Sequence, residues 1–353
     1  MRVLLIDTVD LGANGITTFI INVAHQMAKK DIDVTILAPN KVDTKLKKKI
    51  ENDNIHLKEI VDRASRPISY FRRLKKYLKY KKFDVVHVNG NSTTMAMELF
   101  AAKLAGVKKR IAHSHNTTTE HPFINIALRP LFEICVNERI ACNQAAGKWL
   151  FKNKKFTIIP NGINLKEYAF NSVKRKKYRK KLKLKDSDIL LGHVGSFNYQ
   201  KNQIFLIDLI QKLPRKFKII LIGDGSEFKS VKDKVNKLHL TDRIIFTGVI
   251  SNVSEYLNAM DLFLLPSNFE GQPFSLIEAS ANGLNCIVSD KVKKENDLVD
   301  NIKFISLDNK SAWCSEIENC DFSRKKTISK LTDMGYDYKK NSDKLVRFYK
   351  ESI

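Results

Sequence analysis

The chain has 353 residues, 43% of them hydrophobic, and a formal net charge of +24; that size exceeds one ordinary core and predicts two domains, while the composition excludes disordered, fibrous and repeat proteins. Five cysteines without paired metal spacing exclude a disulfide framework and a zinc site and fit a reducing cytosol, and no run of about 18 apolar residues could span a bilayer. The excess of Lys and Arg calls for an acidic partner: anionic lipid, a phosphorylated substrate or nucleic acid.

Short apolar, β-branched runs alternate with longer amphipathic segments, the pattern of βαβ units and parallel sheets. Strands are predicted at 2–6, 33–37, 84–88, 109–113, 138–141 and 156–159, then at 189–195, 217–223, 243–247, 261–265, 285–288 and 303–306. The fold class is therefore α/β, with two Rossmann-like doubly wound parallel-sheet domains. The expected organisation is an N-terminal domain over 1–165, a basic linker over 166–187, a C-terminal domain over 188–335 and a helix over 336–353, available to pack back on the first domain. Within the first domain, RRLKKYLKYKK places Tyr70, Phe71, Leu74, Tyr77, Leu78 and Phe83 at helical spacing among cations. That describes a basic amphipathic helix, either lying on an anionic leaflet or turning its stripe into the core. No recognised nucleic-acid motif accompanies the charge, so no nucleic-acid partner is expected.

In open parallel sheets ligands bind beyond the carboxyl ends of the strands, so the loops there carry the argument. After the first strand, Gly12 and Gly15 let backbone approach a ligand at a helix N-terminus; a tight turn into a packing helix is the plainer alternative. After the fourth predicted strand, His113, His115 and Asn116 emerge, with the two histidines on one face. In HVGSFNYQKN, Gly195 ends a strand and Lys201 stands at a helix start, where a cation adds its charge to the helix dipole in holding a phosphate. In DLFLLPSNFEGQPFSLIEASANG, a strand turns into a helix bounded by Pro273 and Gly283. Glu270 falls in the turn and Glu278 one turn inside the helix, while the amides of Gly271, Gln272 and Phe274 have no intrahelical partners. Carboxylates suit the vicinal hydroxyls of a sugar or ribose, and helix-opening amides suit phosphate.

The segments ANGITTF, DVVHVNG, RIAHSHN, IPNGIN, HVGSFNYQKN, IGDG, FTGVISNVSEYLNAMDLFLLPS and EGQPFSLIEA, in this order, resemble the retaining GT-B transferases of glycosyltransferase family 4, especially bacterial polysaccharide-assembly members. The resemblance covers nearly the whole chain and implies a donor sugar bound in a cleft between the two domains. It implies that Glu270 binds donor-sugar hydroxyls, Glu278 the ribose, and Gly271, Gln272, Phe274 and Ser275 the sugar and phosphate. Lys201 would hold the diphosphate, His115 would sit by the reacting anomeric carbon, and Gly15 would let its loop close over the phosphates. Gly248 and Val249 would border the base pocket, with Gly223 and Gly225 lining the same region. It also implies transfer with retention, no metal and no cofactor; in keeping with this, no Asp-x-Asp stands at an apparent metal position. Ser196 replaces the arginine that the family usually has after Gly195, and Asn14–Gly15 stands where two glycines are frequent. The expected reaction moves a sugar from a nucleotide donor, foremost a UDP-sugar, to a glycolipid or growing polysaccharide, at the inner face of the plasma membrane. A sugar-nucleotide epimerase and a catalytically silent GT-B partner subunit are the alternatives.

Overall fold

A computed structural model describes residues 1–12, 14–119, 121–292, 294 and 299–351. Ala13 of the ANGITTF segment and Glu120 lie outside the described residues. The chain divides into two compact units, one formed by Met1–Gly162 with Asp337–Ile353 and the other by Ile163–Tyr336.

The first unit holds β1 (Arg2–Asp7), β2 (Asp33–Ala38), β3 (His56–Glu59), β4 (Val85–Gly90), β5 (Lys109–Ser114), β6 (Glu138–Ala141) and β7 (Thr157–Ile158), in the sheet order β3-β2-β1-β4-β5-β6-β7. The second holds β8 (Ile189–Val194), β9 (Phe217–Ile222), β10 (Ile244–Gly248), β11 (Leu262–Leu265), β12 (Asn285–Ser289) and β13 (Ile302–Ile305), ordered β10-β9-β8-β11-β12-β13. All strand pairs are parallel. Parallel neighbours need crossover helices, which cover both faces of the sheet, and this is why the central strands read as continuous apolar runs. In β8, Leu190 and Leu191 point to opposite faces and enter different cores, one with Phe263 and Leu276, the other with Phe205, Leu264 and Trp313. In each sheet the strand order reverses once, between β1 and β4 and between β8 and β11, leaving a crevice at the carboxyl ends.

The edge strand β3 was not predicted; its four residues, HLKE, are half-exposed and lack an apolar run. The basic helix is Pro67–Lys81, opened by proline and closed by left-handed Lys82 at φ 52°. Its stripe belongs to the core: Tyr70, Leu74 and Leu78 are fully buried, and Phe71 stacks on Phe100 at 5.6 Å. Of the two alternatives the sequence left open for this stripe, the core is the one realised, because burial against the neighbouring helix removes the apolar surface from water.

Residues 166–187 lie within the second unit. Their helix Ser172–Lys181 is pinned by Arg179 to Asp261 at 3.0 Å and buries Tyr178. The last helix, Tyr338–Lys350, is capped by the Asp337 carboxylate and belongs to the first unit, where Asn341 donates to the Pro160 carbonyl at 2.7 Å. Gly162 is required there, since a Cβ would stand 2.6 Å from the Tyr338 Cα.

Candidate functional site

The reversal point of the second sheet brings together the loops after β8 and β11. They are tied by backbone and side chain: Asn268 N donates to the Gln200 carbonyl at 2.8 Å, Asn268 Nδ2 to the Tyr199 carbonyl at 2.6 Å, and Asn202 Nδ2 to the Pro266 carbonyl at 3.2 Å. Asn202 adopts the left-handed conformation (φ 53°) just before helix Gln203–Lys212, and the turn is closed by Lys201 N donating to Asn198 Oδ1 at 3.0 Å. Gly195 leaves room for the Lys201 chain to fold back, as its Cβ position lies 3.0 Å from that side chain. Lys201 Nζ meets Glu270 Oε1 at 2.6 Å, Ser267 Oγ donates to the same oxygen at 2.8 Å, and Gln200 Nε2 donates to Oε2 at 3.1 Å. Glu270 is only 6% exposed, so this ion pair and its two hydrogen bonds replace the water that the carboxylate loses. Gly223 (φ 136°) and Gly225 let the loop after β9 press on the same segment; Cβ atoms there would lie 2.1 Å from the Gly195 carbonyl oxygen and 2.4 Å from that of Phe197.

Beneath the second carboxylate lies helix Phe274–Ala281. Tyr168 Oη donates to Glu278 Oε1 at 2.9 Å, and burial nevertheless pushes the Glu278 carboxyl up to about 7. The Tyr168 carbonyl accepts from Asn282 Nδ2 at 2.8 Å, and Asn282 Oδ1 accepts from Arg324 Nη1 at 2.8 Å. Tyr168 was missed in the sequence, where only its place after IPNGIN singled it out. Gly271, Gln272 and Ser275 are buried at the helix opening with Phe274 half-buried, and Ser275 Oγ is enclosed without a hydrogen-bond partner among the described residues. Gly248 ends β10 at φ 66°, and Val249 beside it is exposed. Ser196 is exposed; its carbonyl accepts from Gln203 Nε2 at 3.0 Å, and Gln203 is backed by His193 at 3.2 Å. His193 Nδ1 donates to the Leu264 carbonyl, and burial lowers this imidazole to about 4, so it is neutral.

The reversal point of the first sheet carries Asp7 at the end of β1, Asn89 in β4 and His115 just past β5. His115 Nε2 lies 3.0 Å from Asn89 Oδ1 and Nδ1 lies 3.1 Å from Asn161 Oδ1. Asn89 Nδ2 already donates to the carbonyls of Ile6 and His87, so the Asn89 oxygen accepts from His115 Nε2. Burial lowers His115 to about 3, which makes it a neutral, fixed ring. His113 stacks on it at 4.0 Å between centroids and is fully buried, hydrogen-bonded to His87, which in turn meets Tyr349 Oη from the last helix. The two histidines expected on one face do share it, stacked on each other and both packed on Phe19, with His113 wholly enclosed and His115 just past the strand end. The loop before Gly15 is organised by Asp7, whose carboxylate accepts from Val9 N and Thr17 Oγ1, each at 3.1 Å; burial raises it to about 7. Asn14 caps helix Gly15–Ala28 by accepting from Thr17 N. Lys201, Glu270 and Glu278 thus gather in the second unit, while Gly15 and His115 belong to the first.

The Glycosyltransferase Family 4 pattern matches residues 13–167, and the "Glycosyl transferases group 1" pattern matches residues 174–312. The chain is 28% identical to the glycosyltransferase EpsF of Bacillus subtilis (strain 168) over 306 residues, 81% of this chain and 79% of that protein. It is 28% identical to the UDP-Gal:alpha-D-GlcNAc-diphosphoundecaprenol alpha-1,3-galactosyltransferase of Escherichia coli over 245 residues, 65% of this chain and 63% of that one. The crystal structure of Anabaena Alr3699/HepE in complex with UDP-glucose shares the fold with a TM-score of 0.83 at 17% identity, covering 99% of this chain and 100% of the other. The chain is a glycosyltransferase of the GT-B fold, in which a Family 4 domain is followed by a group 1 domain.

Proposed function

We propose that this enzyme transfers a hexosyl or N-acetylhexosaminyl group from a UDP-sugar, with retention, to a lipid-linked or growing polysaccharide acceptor in bacterial cell-surface glycan synthesis. The observation that carries this reading is the Lys201–Glu270 pair at the reversal point of the second sheet, with Glu278 one turn inside the following helix. The relative with UDP-galactose and diphosphoundecaprenol in its name, and the fold shared with a UDP-glucose complex, support the donor and the acceptor class.

Glu270 accepts hydrogen bonds from sugar hydroxyls and exchanges one of its present partners for them. Lys201 then turns its ammonium to the diphosphate, and the unpaired Ser275 hydroxyl with the opening amides of helix Phe274–Ala281 supplies further donors. Glu278 accepts from the ribose. The acceptor oxygen bonds to the anomeric carbon as the bond to the UDP oxygen breaks, and the acceptor proton passes to that leaving phosphate oxygen. Neutral His115 contributes a fixed ring without charge. This chemistry calls for no metal or cofactor. Ser196 forgoes a charge-assisted contact worth about 1.5–3 kcal/mol, and that feature alone favours the second reading, a silent partner subunit. Among the described residues no helix is long and apolar enough to cross a membrane, so a lipid-linked acceptor is met by peripheral contact with the inner leaflet. The test is incubation with a panel of UDP-sugars and a diphosphate-lipid glycan, with the anomeric configuration read by NMR. A retained α-linkage is expected, whereas full inactivity with every donor would favour the silent partner.

A further inference from the structure

Among the described residues of the first unit, helix Pro122–Ala127 buries none of its side chains. Helix Pro122–Ala127 is held through a polar residue: Asn125 Oδ1 accepts from Thr93 N at 2.8 Å and the Asn125 carbonyl accepts from Thr93 Oγ1 at 2.6 Å. Its apolar side chains point away, with Phe123 84%, Ile124 48% and Ile126 72% exposed. Leaving an aromatic ring and two isoleucines together in water forfeits the burial that drives folding. Nearby, Arg63 Nη2 donates to the Thr94 carbonyl at 3.2 Å, which places the start of the basic helix Pro67–Lys81 beside the turn that holds Asn125. That helix exposes Ile68 at 68% and the cations Arg72, Arg73, Lys76, Lys79 and Lys81, with exposed Arg66 just before it, and no carboxylate occurs in the sequence between Arg63 and Phe83.

We propose that helix Pro122–Ala127 is the tip by which the first unit enters an anionic bilayer, with the outer face of helix Pro67–Lys81 as its headgroup contact. The proposal rests on the lipid-linked acceptor reading. Phe123 and Ile126 reach the acyl boundary while the ammonium and guanidinium groups meet the phosphates. A second copy of the chain is a poorer occupant, because a two-fold contact through this face would set one carboxylate-free cationic helix against another. The basic helix therefore contributes charge through its outer face, and the apolar insertion comes from a different helix.

The experiment is co-sedimentation of the full chain with phosphatidylcholine vesicles with and without phosphatidylglycerol, for the wild type, F123S/I126S and K76A/K79A/K81A. Thermal stabilisation by UDP serves as the control for an intact donor unit. Wild-type binding to the anionic vesicles is expected to weaken about tenfold in F123S/I126S with UDP stabilisation unchanged, and K76A/K79A/K81A is expected to lose the dependence on phosphatidylglycerol. A tryptophan introduced as F123W should shift its emission to the blue on the same vesicles. Absent wild-type binding would overturn both the membrane reading and this assignment. Equal binding by F123S/I126S together with unshifted F123W emission would overturn the assignment alone, as would a wild-type dimer that F123S/I126S dissociates. A missing UDP effect in the wild type would count against the donor site whatever the vesicles show.

Discussion

The two sheet-reversal points do different work with different chemistry. In the second unit the crevice is lined by an ion pair and a second carboxylate, all on loops or a helix opening. In the first it is lined by neutral rings and amides beside Asp7, with His115 donating from Nε2 to Asn89 and stacked on His113. The second gathers charged groups, which suits the diphosphate proposed to bind there; the first presents rings whose shape is fixed and whose protonation is suppressed. The same α/β frame supports both because the function lies in the loops after the strands, and the frame sets only where those loops meet.

The sharpest way to break the comparison is at the ion pair. Glu270→Ala leaves Lys201 largely enclosed without its partner, and a cost of about 3–5 kcal/mol in stability is expected, together with loss of transfer. Urea unfolding of the E270A, K201M and E270Q/K201M variants checks this; the double variant should recover most of the loss.

The next contrast is in pH. His87, His113 and His115 are kept neutral by burial, the first and last lowered to about 3 and His113 well below its usual value. In the unfolded chain they titrate near 6.5, so the stability they carry is present above that pH and lost as pH falls below it. The slope is about 1.4 kcal/mol per pH unit for each proton taken up. Glu278 has the opposite sign. Its raised carboxyl favours the fold at low pH, and that advantage shrinks as pH rises from the unfolded value near 4.3 toward about 7. Urea titrations at successive pH values should give a steep acid limb, made shallower in the His113→Phe variant.

A smaller effect separates the Glu278 carboxylate from its support. Tyr168→Phe removes a hydrogen bond that lowers the Glu278 pKa, so the carboxyl should titrate higher and donor KM should rise about fivefold near neutral pH, equivalent to about 1 kcal/mol, with kcat little changed. Steady-state kinetics across pH would show this. The smallest effect is expected at the exposed pair Lys330–Asp300, 3.0 Å apart, where Lys330→Ala should change stability by less than about 0.5 kcal/mol.

Much of the frame was legible because parallel strands buried on both faces announce themselves as apolar β-branched runs. β3 did not, being a half-exposed edge strand of mostly polar residues. Lys201, Glu270 and Glu278 were visible in the loop and helix openings that follow strands, yet the Lys201–Glu270 contact depends on β8 and β11 being neighbours, a pairing between strands far apart in the chain. Tyr168 escaped notice because its partner lies 110 positions away, and a lone tyrosine carries no spacing signal. Asp7 ended an apolar strand in plain view, but its hold on the Gly12–Gly15 loop appears only once Thr17 is folded against it. Periodicity found helix Pro67–Lys81 and could not tell core from leaflet, since both bury the same stripe. Helix Pro122–Ala127 gave no signal in the sequence, and only the inward Asn125 shows that Phe123 and Ile126 face out.

The central claim is that the second unit binds a uridine diphosphate through the Lys201, Glu270 and Glu278 cluster. The most direct test is thermal unfolding of the wild type and Glu278→Ala in the presence of UDP, GDP and ADP; a ligand at a hundred times its dissociation constant stabilises the native state by about 2.7 kcal/mol. The account predicts stabilisation by UDP above the other two, lost in Glu278→Ala. No stabilisation of the wild type by any of the three would contradict it and leave the silent partner subunit as the better description of the chain.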